Sequence, residues 1–281
     1  MPDSAAPRST LVEIVDFSAV EPVWKTIWPG QRRDYVSPGL IDPGLAPLFP
    51  SLRIGDVADL EWPYLRKDAP HIWRSDARGL RNPYIGVISL DEATVLHNNA
   101  LTMRGKRGLE VGCHYGWSTA HLVAAGLKLD VIDPGLGYPD QMRDVADSLS
   151  RVPGPGRAKL WAGFSPSITP AVRSTQVRPW SFAFIDGFHE GRAPLDDAEA
   201  AAPRMAADAL VVFHDLISPH VAAGLGHFAD SGWNVGLYNT MQIMGIAWRG
   251  AARPVAHVED RDMPPIEAEH LRRFKILSTK A

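Results

Sequence analysis

The chain has 281 residues, 45% of them hydrophobic and 22% charged, with a formal net charge of -3 and a sequence pI near 6.4. That balance fits one sizeable globular α/β domain with an appendage, and it lacks the basic footprint expected of a partner for nucleic acid or anionic membrane. A single cysteine, Cys113, excludes a disulfide framework and a thiolate metal cage. No apolar run nears the roughly 20 residues of a transmembrane helix, and the opening MPDSAAPRST lacks the core of a signal peptide. A cytoplasmic protein is the default expectation.

Residues 1–88 read as an irregular extension. Eleven of the 24 prolines fall in the first 90 residues, together with Trp24, Trp28, Trp62 and Trp73. No sustained period runs through EPVWKTIWPG or SPGLIDPGLAPLFP, so long regular elements are not expected there. The aromatic content argues against simple disorder and for packing on the main domain. A lid over the site is the second reading of this region.

A helix is announced at Ser89-Leu90-Asp91-Glu92, which fits a capping box, and Ala93, Leu96, Ala100 and Met103 follow at helical spacing. Strands and helices then alternate. A strand ends at Glu110-Val111, a helix covers about 118–126, and LKLDVID makes a second strand ending at Asp133. A helix from Pro139 to about Leu149 is closed by PGPG. A strand at AKLWA, a short helical stretch near 166–173 and a strand at SFAFID come next. The helix APLDDAEAA carries Asp196 and Asp197 in its first turns, where the helix dipole favours acids. The apolar strand ALVVFHD precedes a helix from about Pro219 to Asp230, and NVGLY and IMGIAW close the run as two strands with a short connection. The pattern predicts a Rossmann-like, doubly wound, mostly parallel sheet covered by helices, with an antiparallel edge strand. The domain spans 89–252, and the polar segment 253–281 carries no readable pattern.

The segment LEVGCHYGWSTAHL, residues 109–122, holds the functional signal. A glycine turn between a strand and a helix lets backbone approach a ligand closely and offers free N–H groups. Glu110 beside that turn would repel a pyrophosphate and attract a cationic group. The stretch therefore points to an adenosine-containing ligand with a positive charge. Asp133 closes the next strand about 20 residues further on, the offset at which an acid meets ribose hydroxyls in dinucleotide folds. Glu110, Asp133 and Asp186 all end strands and should face one crevice, beyond the carboxyl ends where strand order reverses. Cys113 reads as a small residue filling a tight turn, since no base stands beside it.

With these elements in order, the run from about Leu109 to Trp248 resembles the class I S-adenosylmethionine-dependent methyltransferases. Within them it is most similar to the small-molecule O-methyltransferases of the cephalosporin-hydroxylase-like, macrocin and catechol types. LEVGCHYGWST, the strand-end Asp133, FIDGFHEG and VVFHD carry the resemblance. His114 departs from it, standing where the superfamily often has a glycine. The resemblance implies that Glu110, Gly112, Cys113, His114, Tyr115, Gly116 and Ser118 seat the amino-acid portion of S-adenosylmethionine. It places the ribose at Asp133 and Pro134 and the adenine near Gly163, Phe164 and Ser165, with Asp186 bordering the cofactor. Catechol-type relatives hold a divalent metal at positions matching Asp186, His214 and Asp215; a histidine in that set shifts preference from magnesium towards softer ions. They carry a basic catalytic residue near the position of His189, whose ordinary pKa suits a base at neutral pH.

Plainer readings stand beside these. Asp186 before Gly187 also suits a turn-organising aspartate, His214-Asp215 a satisfied histidine beside a helix cap, and His189 a surface loop histidine. The expected activity is methyl transfer to a small-molecule hydroxyl, with no nucleic-acid or membrane partner and self-association into a homo-oligomer left open. The rival readings are a nicotinamide-dependent oxidoreductase, opposed by Glu110 and the absence of G-x-G-x-x-G, and a non-catalytic binding protein that keeps the cofactor fold.

Overall fold

A computed structural model describes residues 34–54, 70–72, 86–175 and 178–280. The four tryptophans of the extension, and with them the lid reading, lie outside the described residues, except that strands β1 (Leu52–Ile54) and β2 (Pro70–Ile72) form a short antiparallel pair. Of the extension, Leu45 and Phe49 are buried in the core, and Phe49 meets Trp117 edge-on with ring centroids 5.2 Å apart.

The domain begins with helix α1 (Leu90–Leu101), capped as its sequence predicts. Ser89 Oγ accepts from Glu92 N at 3.2 Å and Ser89 N donates to Glu92 Oε2 at 2.8 Å. Such caps contribute about 1 kcal/mol. Strand β3 (Arg107–Val111), helix α2 (Trp117–Ala124), strand β4 (Lys128–Asp133), helix α3 (Pro139–Ser150) and strand β5 (Arg157–Ala162) follow. The second half runs through α4 (Thr169–Ser174), β6 (Trp180–Ile185), α5 (Ala193–Ala201), β7 (Met205–Phe213), α6 (Pro219–Asp230), β8 (Asn234–Tyr238) and β9 (Met244–Arg249). Prolines open α3 and α6 at the first helical position, where the missing N–H costs nothing.

The main sheet has the order β11-β8-β9-β7-β6-β3-β4-β5, with β11 being Lys275–Ile276. Neighbours from β7 through β5 pair parallel, and β9 is antiparallel to both β7 and β8. The antiparallel strand thus sits inside the sheet and not at its rim. The short β8–β9 connection turns β9 back, and its pairing with β7 leaves β8 further out. Strand order reverses between β3 and β6, so the carboxyl ends of those two strands flank the crevice of an open α/β sheet.

Alternation along the buried strands gives the sheet two dry faces. Phe182 and Phe184 of β6 pack with α1, α2 and α3, while Ala183 and Ile185 pack with α5 and α6. Burying each phenylalanine contributes about 1.5–3 kcal/mol. The C-terminal segment proves structured. Leu271 and Phe274 are buried, and β10 (Val258–Glu259) pairs with β12 (Thr279–Lys280). His257 Nε2 lies 2.9 Å from Asp91 Oδ2 in a fully buried pair, and Asp91 Oδ1 accepts from Ser37 N. This acid at the start of α1 joins both ends of the chain to the domain. A polar stretch with no period conceals this, because its hydrogen-bond partners are far away in sequence.

Candidate functional site

The turn after β3 is shaped by two residues that only glycine suits. Gly112 has φ +85°, and a Cβ there would stand 2.1 Å from the carbonyl oxygen of Asp186, so this glycine lets the β3 and β6 ends touch. Gly116 has φ +84° and caps α2. Between them His114 adopts φ +48°, a left-handed conformation that a non-glycine residue rarely takes.

Asp133 holds this turn in place. Its Oδ2 accepts from Cys113 N at 2.8 Å and His114 N at 2.9 Å, and its Oδ1 accepts from Gly135 N at 2.6 Å. The strand-end acid therefore organises both the glycine turn and the 3-10 turn Pro134–Gly137. Gln141 completes the hold by donating from Nε2 to His114 O at 2.8 Å, a contact without a local sequence signal. Burial and the nearby Asp133 and Glu110 push the Cys113 thiol well above its usual pKa, which fits a filler and not a nucleophile. Tyr115 lines, with Phe49, Asp144 and Arg151, a cavity of about 170 Å³ between the turn and α3.

Glu110 is fully buried. Ser118 donates to its Oε1 at 2.6 Å, while Oε2 has no hydrogen-bond partner. Burial raises its pKa to about 8, Ser118 and Thr119 pull in the other direction, and Asp186 and Asp133 add to the rise. An orphaned buried carboxylate oxygen at a strand-end turn fits a cationic ligand.

After β5, Gly163 N donates to Asp133 O at 3.2 Å, and Ser165 Oγ lies 3.0 Å from Thr169 Oγ1. Phe164 is 69% exposed; Tyr138 and Phe188, which also follow strand ends, are 68% and 70% exposed. Three uncovered rings on strand-end loops give this side of the sheet an apolar rim. Asp197 of α5 is buried near Gly187, with an unpartnered Oδ1 and a pKa raised by burial to about 6. The dipole of the first turn alone does not describe it.

Charge gathers at the ends of β6 and β7. His189 Nε2 stands 3.2 Å from Asp186 Oδ1 and 3.3 Å from Asp215 Oδ2. His214 Nδ1 stands 3.2 Å from the same two oxygens. Both histidines thus reach one carboxylate pair. Burial works against the His189 cation, but the hydrogen bond to Asp186 and the charges of Asp215 and Asp186 outweigh it and raise its pKa. Burial likewise opposes the His214 cation, and Asp215, Asp186 and Glu92 together hold its pKa well above the ordinary value. Asp215 has φ +60°. Asp186, His189 and Asp215 offer one ligand atom each within 4.8 Å of one another, a set able to take a metal ion.

One residue of this cluster is legible in the sequence only as a helix cap. Glu92 lies 3.4 Å from His214 Nε2, an ion-pair distance without hydrogen-bond geometry. Burial would raise its pKa, yet His214 and the Ser89 and Gln242 amides bring it down to about 2.

A methyltransferase-domain family model matches residues 109–216. No functionally curated protein matches the chain. Among solved structures, an O-methyltransferase from Bacillus cereus in complex with SAH is 13% identical, covering 58% of this chain and 83% of that one at a TM-score of 0.48. The O-methyltransferase TomG from Streptomyces achromogenes, involved in tomaymycin synthesis and bound to SAM, is 16% identical, covering 58% and 82% at 0.47. A putative caffeoyl-CoA O-methyltransferase from Staphylococcus aureus is 14% identical, covering 52% and 76% at 0.40.

Proposed function

We propose that this chain, whose residues 109–216 match a methyltransferase-domain family model, is a class I S-adenosylmethionine-dependent methyltransferase that methylates a small molecule at a hydroxyl oxygen. The observation that carries the reading is the buried Glu110, with an unpaired Oε2 beside a turn that Asp133 holds through the Cys113 and His114 amides. When bound, S-adenosylmethionine supplies a methyl group on a sulfonium, which is already a good leaving group. The protein's work is then to bind, to orient and to manage one proton.

Glu110 and the 112–116 turn take the cationic amino-acid end, and Asp133 takes the ribose through the one Oδ1 lone pair that the three amides leave free. Phe164 and Ser165 border the adenine. His189 removes the acceptor's proton. With Nε2 facing Asp186 and Asp215, its proton lies between the carboxylates and Nδ1 is the basic atom. The two acids stabilise the imidazolium that results. The exposed ring of Phe188 beside His189 gives the acceptor an apolar seat.

A second reading is favoured by the mixed nitrogen and oxygen set of Asp186, His189 and Asp215. These residues would hold a divalent ion acting as a Lewis acid on the acceptor oxygen. Calorimetry with S-adenosylhomocysteine tests the cofactor. A mass-spectrometric screen of hydroxylated metabolites, with and without chelator, tests acceptor and metal. Absence of S-adenosylhomocysteine binding sinks the function, and full activity in excess chelator removes the metal.

A further inference from the structure

The cluster contains one buried acid that the proposed chemistry does not use. Glu92 belongs to α1, outside residues 109–216, and is fully buried. Its bond with Ser89 completes a capping box, and capping asks nothing more of a glutamate. Yet Oε1 accepts from Gln242 N at 2.8 Å across 150 residues of chain, and Oε2 stands 3.4 Å from His214 Nε2.

Both extra contacts lead to Asp215. Through the ring of His214, Glu92 connects to Asp215 Oδ2 and Asp186 Oδ1, each 3.2 Å from Nδ1. Through Gln242, it grips a turn in which Ile243 has φ +58° and accepts at its carbonyl from Leu216 N at 3.0 Å. Leu216 follows Asp215, which itself has φ +60°. Two neighbouring non-glycine residues in the left-handed region persist only where their surroundings over-determine them. Glu92 contacts both routes.

We propose that Glu92 is a positioning residue for this site: it fixes the His214 ring and the 240–243 turn, and through them the conformation of Asp215 and the spacing of the carboxylates that face His189. The proposal rests on the reading of Asp186, His189 and Asp215 as the reacting side of the crevice. Glutamine separates capping from positioning, because it also satisfies a capping box. It offers one acceptor oxygen, whereas Ser89 N and Gln242 N use different oxygens of Glu92.

The experiment uses the full chain saturated with S-adenosylhomocysteine. Ring ¹⁵N–¹H spectra of histidine-labelled protein identify His214 by the signal lost in His214→Gln. Glu92→Gln should retain S-adenosylhomocysteine affinity, shift the His214 signal, and, with an acceptor from the screen, lower kcat about 10- to 100-fold at little changed KM. An unmoved His214 signal in folded Glu92→Gln would overturn the proposal. So would rapid hydrogen exchange at Gln242 N–H in the wild-type protein, a measurement that needs no variant. Wild-type protein that fails to bind S-adenosylhomocysteine refutes the methyltransferase reading instead, and the two spectra still decide the role of Glu92.

Discussion

The two sides of the crevice are built on opposite plans. At the ends of β3 and β4 the acids meet neutral donors: Asp133 accepts three backbone amide hydrogens, and Glu110 accepts from one side-chain hydroxyl and keeps one oxygen free. At the ends of β6 and β7 the acids meet imidazole rings, as His189 and His214 share Asp186 and Asp215 and Glu92 backs His214. The first plan makes a turn cross-tied by backbone hydrogen bonds. The second makes a compensated charge network in which a proton or a cation can be accommodated at modest cost. In the proposed function, binding falls to the first side and chemistry to the second.

Cutting the second side should leave the first intact. His189→Ala should lower turnover about 100- to 10,000-fold, the usual contribution of a positioned base, and leave S-adenosylhomocysteine affinity unchanged. Steady-state kinetics beside calorimetry separates the two, and wild-type turnover would reduce His189 to a loop residue. Because the pKa of His189 is raised, the rate should climb with pH through a limb lying above 6.5, where the base loses its proton. That limb should vanish in a His189→Gln variant with residual activity. A bound metal also creates such a limb by acidifying the acceptor, so the profile is recorded with and without chelator.

The reverse cut falls on Asp133. Asp133→Ala removes the acceptor of three amides and should weaken S-adenosylhomocysteine binding by about 1.5–3 kcal/mol, or roughly 10- to 150-fold. Unchanged affinity in calorimetry would confine Asp133 to the turn.

The smallest effect sharpens the contrast. Free Glu110 has a pKa near 8, so at pH 7 it is largely neutral, and a cationic ligand restores its charge. Binding near pH 7 should therefore release up to about one proton, seen as a dependence of the binding enthalpy on buffer ionisation. Glu110→Gln should abolish the release. In the free protein the sign is that of a carboxyl with a raised pKa. Its contribution to stability is complete below the ordinary 4.5 and declines as pH rises towards 8, a slope that Glu110→Gln should lack.

What the residues determine by themselves is local. The alternation of strands and helices, the capping box at Ser89, the glycine turn of 112–116 and the strand-end positions of Glu110, Asp133 and Asp186 follow from periodicity and turn chemistry within about a dozen residues. These suffice for the fold class and for the side of the sheet that holds the candidate site. Only the tertiary structure decides that β9 enters the sheet beside β7, that the patternless C-terminal segment pairs His257 with Asp91, and that both His189 and His214 reach one carboxylate pair. It also turns Glu92 from a cap into a neighbour of His214 and Gln242. The physical reason is range. A helix period or a turn depends on neighbours along the chain, whereas a buried charge is defined by whatever group neutralises it, and for Glu92 and Asp91 that group, His214 and His257, lies more than a hundred residues away.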